Sequence, residues 1–136
     1  MADNKMKRNE EGFIQKEWKD LINWEDGNGA GCFVSDKISK EGWKVGYMYR
    51  EEPDKNAPDS GWRFLKGDES DEYVNDSKNV HILAINTVCN LDPDIIPYLN
   101  SLYGSAYIRI NEKEFQLDDN TKPIYTTKQD DFKDEK

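Results

Sequence analysis

Residues 43–50 alternate strictly: Trp43, Val45, Tyr47 and Tyr49 fall on one side, and Lys44, Gly46, Met48 and Arg50 on the other. Successive side chains of a strand point to opposite faces, so this spacing predicts a strand with one face on a core. Its neighbours follow the same logic. Residues 32–38, starting Cys32-Phe33-Val34, predict a strand before it, and Ser39-Lys40-Glu41-Gly42 reads as a glycine-containing hairpin loop between the two. Residues 62–65, Trp-Arg-Phe-Leu, predict a short third strand. Residues 80–85 form an almost unbroken apolar run and predict a central strand buried on both faces. Residues 104–110 predict another, which can pair with 115–117 across Asn111-Glu112-Lys113.

Two helices complete the pattern. Ile14, Trp18, Leu21 and Ile22, with Trp24, repeat at helical spacing and predict an N-terminal helix over residues 13–25 that packs on the sheet. Asp92-Pro93-Asp94 is a helix start: a capping carboxylate, a proline at the first helical position and an acid at the positive end of the dipole. Pro97 follows about one turn later, so this helix, near residues 92–99, is short. Strands with interspersed helices and short connections predict an α+β fold, a single domain with a mainly antiparallel sheet. Residues 1–12 are polar and expected to be a disordered N-terminus, 13–117 form the domain, and 118–136 form a polar tail.

The chain of 136 residues carries a net charge of −9. An acidic surface repels phosphates, so nucleic acid and anionic membranes are excluded as partners, while a basic protein is attracted. The acidity is focal. Residues 51–76 hold nine acids (Glu51, Glu52, Asp54, Asp59, Asp68, Glu69, Asp71, Glu72 and Asp76) against three bases (Lys55, Arg63 and Lys66), a local charge of −6. If the loops 51–61 and 67–72 met at one end of the sheet, they would form a single anionic patch. No apolar leader or span is legible at the N-terminus, which gives a cytoplasmic, reduced protein as the expectation.

Constellations with a catalytic reading fall short. Asp68-Glu69-Ser70-Asp71-Glu72 lacks the alternate ligand spacing and central glycine of a calcium loop. One histidine, His81, and two separated cysteines, Cys32 and Cys89, make neither a zinc site nor a thiol dyad. Both cysteines sit in apolar runs and read as buried thiols, and whether they form a disulfide stays open. No phosphate-binding glycine loop or nucleophile elbow is present. No cofactor or metal is expected. Trp62, beside the acidic loops, is the aromatic residue singled out for partner contact.

Gly31-Cys32-Phe33-Val34-Ser35-Asp36-Lys37-Ile38, Gly42-Trp43-Lys44-Val45-Gly46-Tyr47-Met48-Tyr49-Arg50-Glu51, Asp59-Ser60-Gly61-Trp62-Arg63-Phe64, Gly67-Asp68-Glu69 with Asp71-Glu72-Tyr73, and Asn86-Thr87 with Asp92-Pro93 and Ile96-Pro97-Tyr98-Leu99 together resemble a bacterial domain family. Long catalogued as a domain of unknown function, the family is grouped with predicted immunity proteins of polymorphic toxin systems. The likeness spans residues 30–110. It implies a non-enzymatic cytoplasmic protein, monomer or weak dimer, that binds and blocks a cognate toxin. With the anionic loop, the candidate partner-binding residues are Trp62, Asp68, Glu69, Asp71 and Glu72. Two alternatives remain: an adaptor or regulatory domain without a toxin partner, and a small metal-dependent hydrolase. A neighbouring toxin gene would speak against the first, and a pocket of buried carboxylates or a stoichiometric metal for the second.

Overall fold

The structure, a computed structural model, describes residues 6–25 and 27–118. In chain order the strands are β1 (Lys7–Arg8), β2 (Ile14–Gln15), β3 (Gly31–Ser35), β4 (Tyr47–Arg50), β5 (Asp59–Leu65), β6 (Val80–Ala84), β7 (Ala106–Arg109) and β8 (Phe115–Leu117). The helices are α1 (Asp36–Ser39), α2 (Asp71–Asn75) and α3 (Ile85–Leu91), followed by a 3-10 turn, Pro93–Tyr98. Six strands form one sheet in the order β6-β3-β5-β4-β7-β8, and β1-β2 form a separate ribbon. Only β3 and β5 run parallel; every other neighbouring pair is antiparallel. The fold is α+β, as the strand pattern predicts.

The core lies on one face of the sheet. Met48 and Val34 both stand opposite Phe64 in the ladders, so side chains from three strands meet on that face. There they pack with Cys32 and Trp62 against Ile85, Val88 and Cys89 of α3 and against Ile95 and Leu99 of the 3-10 turn and its end. Each such aliphatic or aromatic side chain contributes about 1.5–3 kcal/mol by leaving water. Asp92 caps the 3-10 turn through a hydrogen bond accepted from the Asp94 N–H, with Pro93 at its first position, which is the short helix expected near 92–99.

Four expectations are corrected. Residues 13–25 form no helix. Ile14 pairs in the β1-β2 ribbon, so residues 7 and 8 are ordered strand, and the chain from 16 onward is a strap across α3. Asn86 and Asn90, one helical turn apart on α3, satisfy the strap's backbone. Their side-chain oxygens accept from the Leu21 and Lys19 N–H groups at 2.9 and 3.1 Å, and their amide nitrogens donate to the Lys19 carbonyl at 2.7 and 2.9 Å. Backbone groups bonded in this way have no need of an intrahelical partner. Second, residues 39–42 are not a hairpin. Residues 36–39 form α1, capped by Ser35, and the chain then passes over β5 before β4 begins. Third, in residues 47–50 it is Met48 that enters the core, while Tyr47 and Tyr49 stand on the opposite face; Val45, just before the strand, is buried. Fourth, residues 80–85 are not central: β6 is an edge strand, and Ile82 is 67% exposed. The expected disordered N-terminus falls partly, and the expected tail almost wholly, on residues 1–5 and 119–136, which lie outside the described residues.

Candidate functional site

The sheet face away from α3 carries Ile82, Phe33, Arg63 and Tyr49 in one cross-strand row. Leu65, Tyr47 and Ile108 form the next row. α2 overlies only part of this face, and three adjoining clefts remain along it. The first, about 610 Å³, lies between Ile82, Phe33 and the 51–59 loop. The second, about 350 Å³, shares Phe33, Glu51 and Arg63 with it and reaches Val74 of α2. The third, about 880 Å³, continues past Leu65 and Tyr47 to Ile108, Arg109 and Asp118.

Arg63 is the fixed charge of this face. Its guanidinium donates to both carboxylate oxygens of Asp59 at 2.9 and 3.0 Å and to Glu51 at 2.7 Å, and it lies 4.6 Å over the Phe33 ring. A bidentate fork on a carboxylate is both strong and orienting. Gly61 makes the arrangement possible. Its φ is +87°, and an added Cβ would overlap the Glu51 carbonyl oxygen, so only glycine lets β5 run this close to residue 51. Burial alone would raise the Asp59 pKa, but the Arg63 guanidinium and the Asp54 and Gly61 N–H groups outweigh it and hold the carboxyl at about 2. A carboxylate depressed in the folded state stabilises above its unfolded pKa, near 3.9, and that contribution disappears as pH falls through the folded value. We expect acid unfolding to be displaced to higher pH in Asp59→Asn, with the stability difference between variant and parent vanishing between pH about 4 and about 2. Chemical denaturation at a series of pH values checks this; a difference constant across the window contradicts it.

Of the five sequence-predicted residues, Trp62 and Glu69 face inward. Trp62 is 0% exposed, donates its indole N–H to the Leu99 carbonyl at 3.0 Å and stacks on Phe64. It is therefore no surface anchor. Glu69 is 8% exposed, and its two carboxylate oxygens accept the Lys66 and Gly67 N–H groups at 2.8 Å, closing the loop after β5. Asp68 is exposed but paired with Lys37 and Lys66 at 3.1 and 2.9 Å, bonds that hold its carboxyl below the usual range. Asp71 and Glu72 are exposed in the first turn of α2, which Ser70 caps.

The nine acids thus divide. Glu51 and Asp59 pair with Arg63, Asp68 with two lysines, and Glu69 with backbone. Among the described residues, Glu52, Asp54, Asp71, Glu72 and Asp76 make no ion pair. The 51–58 loop and residues 67–70 leave opposite ends of β5, a strand of seven residues that spans about 20 Å at the usual rise, while Asp71, Glu72 and Asp76 lie on α2 and just after it, where Val74, Asn75 and Ser77 share a cleft with Glu51. Sequence reasoning passed over Phe33 and Ile82 as open-face residues. The available signal was their alternation with Cys32, Val34 and Leu83 across two paired runs.

Cys32 and Cys89 are free and buried; burial pushes both thiols up, Cys89 to about 12, which leaves them protonated at neutral pH. His81 Nδ1 lies 2.7 Å from Asp36 and meets the Phe13 ring edge-on, which ties the ribbon to β6. Among the described residues, no group of three His, Cys, Asp or Glu side chains is placed to hold a metal ion, and no helix is long and apolar enough to cross a membrane.

No curated protein and no solved structure matches the chain significantly. The family model described as "Immunity protein Imm33 domain" matches residues 32–119, from the second residue of β3 to just beyond β8. That stretch holds the six strands of the sheet except for Gly31, the Arg63 cluster and both acidic loops. The chain belongs to the Imm33 immunity protein family.

Proposed function

We propose that this immunity protein acts in the cytoplasm by binding a cognate protein toxin and covering its working surface, without catalysing a reaction of its own. Family membership carries the reading. The chemistry of the exposed surface supports it. The open sheet face offers an apolar floor at Phe33, Ile82 and Ile108, and the 51–58 loop together with α2 and the residue after it holds five carboxylates free of ion pairs among the described residues. Unneutralised acids on an otherwise rigid platform favour a basic partner and speed its encounter. A standard interface would bury about 800 Å² on each side, an area of the order of one sheet face and its rim.

The experiment identifies the genes beside this one and co-produces the chain with a toxin domain that they encode. We expect relief of growth arrest and a 1:1 complex on purification. We also expect Asp71→Lys with Glu72→Lys to slow association by about tenfold at low salt and to flatten its salt dependence. A chain that neither binds nor relieves arrest overturns the proposal. An unchanged association rate in the double variant removes Asp71 and Glu72 from the interface.

A further inference from the structure

We propose that the outer edge of β6 is a docking site for an extended, cationic segment of a partner protein, which adds to the sheet as a seventh strand. That this partner is a toxin rests on the function proposed above; the docking chemistry does not.

Among the described residues, β6 ends the strand order, with β3 as its only sheet neighbour. Its ladder with β3 is flanked by hydrogen bonds from the Asp36 N–H to the Asn79 carbonyl at 2.8 Å and from the Ile85 N–H to the Ala30 carbonyl at 2.7 Å. Hydrogen-bonded pairs alternate along an antiparallel ladder. His81 opposite Val34 and Leu83 opposite Cys32 therefore turn their backbone groups inward, and Val80 and Ile82 turn theirs outward. Among the described residues, no hydrogen bond from elsewhere in the fold reaches the Ile82 N–H or carbonyl. Sheets usually blunt such an edge with proline, lysine or a bulge. β6 reads Val-His-Ile-Leu-Ala in unbroken register and has none of these.

A cleft lies on each side of this edge. The one on the open face has Phe33 and Ile82 at its floor and Glu52 and Asp54 among its lining, two carboxylates without an ion pair among the described residues. The one on the core side, about 570 Å³, lies between β6 and the N-terminal ribbon and is lined by Phe13, Trp18, His81 and Leu83. Ser39 lines it too, and its buried Oγ has no hydrogen-bond partner. An added strand sends alternate side chains to the two faces, so both clefts would be filled by one extended segment. Toward Glu52 and Asp54 that segment carries lysine or arginine; on the other side, where Glu11, Gln15 and Lys40 also line the cleft, an apolar side chain fits against Phe13, Trp18 and Leu83. Alternating basic and apolar residues are the chemistry this edge selects.

The test uses the full chain, isotope-labelled, and two probes: an acetylated, amidated octapeptide alternating lysine and valine, and its aspartate–valine counterpart. The lysine peptide is expected to shift and protect from exchange the Val80 and Ile82 amides, and the aspartate peptide to leave them unchanged. Ile82→Pro deletes an outward N–H while leaving the ladder to β3 intact, a substitution edge strands accept. It is expected to weaken the lysine peptide about tenfold, the effect of one lost hydrogen bond, with the rest of the spectrum retained. Glu52→Lys with Asp54→Lys is expected to weaken it as well without touching β6, and this arm decides the matter should the proline variant not fold. Binding that leaves the β6 amides unchanged, equal binding of both peptides, or an undiminished affinity in a folded Ile82→Pro variant overturns the proposal. None of these arms involves a toxin. A neutralised toxin whose complex leaves the Val80 and Ile82 amides freely exchanging sinks edge docking and spares the immunity reading.

Discussion

Trp62→Ala is expected to cost about 3–5 kcal/mol of folding stability, the range for emptying a buried indole site. The side chain is fully enclosed in the core beside Phe64, and its N–H is the only hydrogen bond given to the Leu99 carbonyl by a side chain among the described residues. Truncation opens a cavity under β5 and leaves that carbonyl without its donor. A domain of this size has a total stability of about 5–15 kcal/mol, so the variant would sit close to its unfolding limit. Trp62→Phe keeps much of the apolar volume and loses the hydrogen bond, and a smaller loss of about 1–3 kcal/mol is expected from the unpaired carbonyl and residual void. Urea denaturation followed by tryptophan fluorescence measures both. The experiment also separates two roles. A docking anchor, when truncated, lowers partner affinity and leaves stability alone; a core residue does the reverse. A Trp62→Ala chain as stable as its parent would return this residue to the surface.

The reassignment of Trp62 shows where reading the chain succeeds. The Trp-Arg-Phe-Leu stretch predicts a strand, and β5 contains it together with three residues before it, but neighbouring residues there do three different jobs. Gly61 admits the close approach of residue 51, Trp62 and Phe64 fill the core, and Arg63 organises Glu51 and Asp59 on the other face. The strand at residues 47–50, though not which of its faces is buried, the pairing of 106–109 with 115–117, and the capped turn at Asp92-Pro93 were legible for the same reason. In each, the decisive contacts are local or lie one strand away. The helix expected at 13–25 fails because its apolar spacing fits a strap as well as a helix, and the deciding groups, Asn86 and Asn90, lie more than 60 residues along the chain. Residues 80–85 mislead in a related way. An apolar run states that both faces avoid water, yet only the fold reveals that Ile82 has no cover. The anionic loops were countable from composition, but a count does not show that Lys37, 31 residues away, answers Asp68, or that Glu69 folds back onto its own backbone.

Asp92 offers the sharpest test of this distinction, because capping is legible in the sequence and the rest of its role is not. Its Oδ1 accepts the Asp94 N–H at 3.1 Å, as a cap should. Its Oδ2 also accepts the Val45 N–H at 2.9 Å and the Arg109 guanidinium at 2.7 Å, and the residue is 1% exposed. One carboxylate therefore joins the 3-10 turn, the approach to β4 and the end of β7. Burial raises its pKa; the Val45 N–H and the Arg109 charge oppose that without overcoming it. Removing one member of a buried ion pair costs about 3–5 kcal/mol, chiefly through the charge left behind. Arg109 keeps Asp94 at 3.0 Å and three backbone carbonyls, so Asp92→Ala should fall at the low end, about 3 kcal/mol. Asp92→Asn can retain the cap at Asp94, but where its amide replaces Oδ2 it faces two donors, and it should lie between parent and alanine variant. A cap alone is worth about 1 kcal/mol. A measured loss near that figure for Asp92→Ala, with Asp92→Asn indistinguishable from the parent, would mean that the links to Val45 and Arg109 add nothing to the fold.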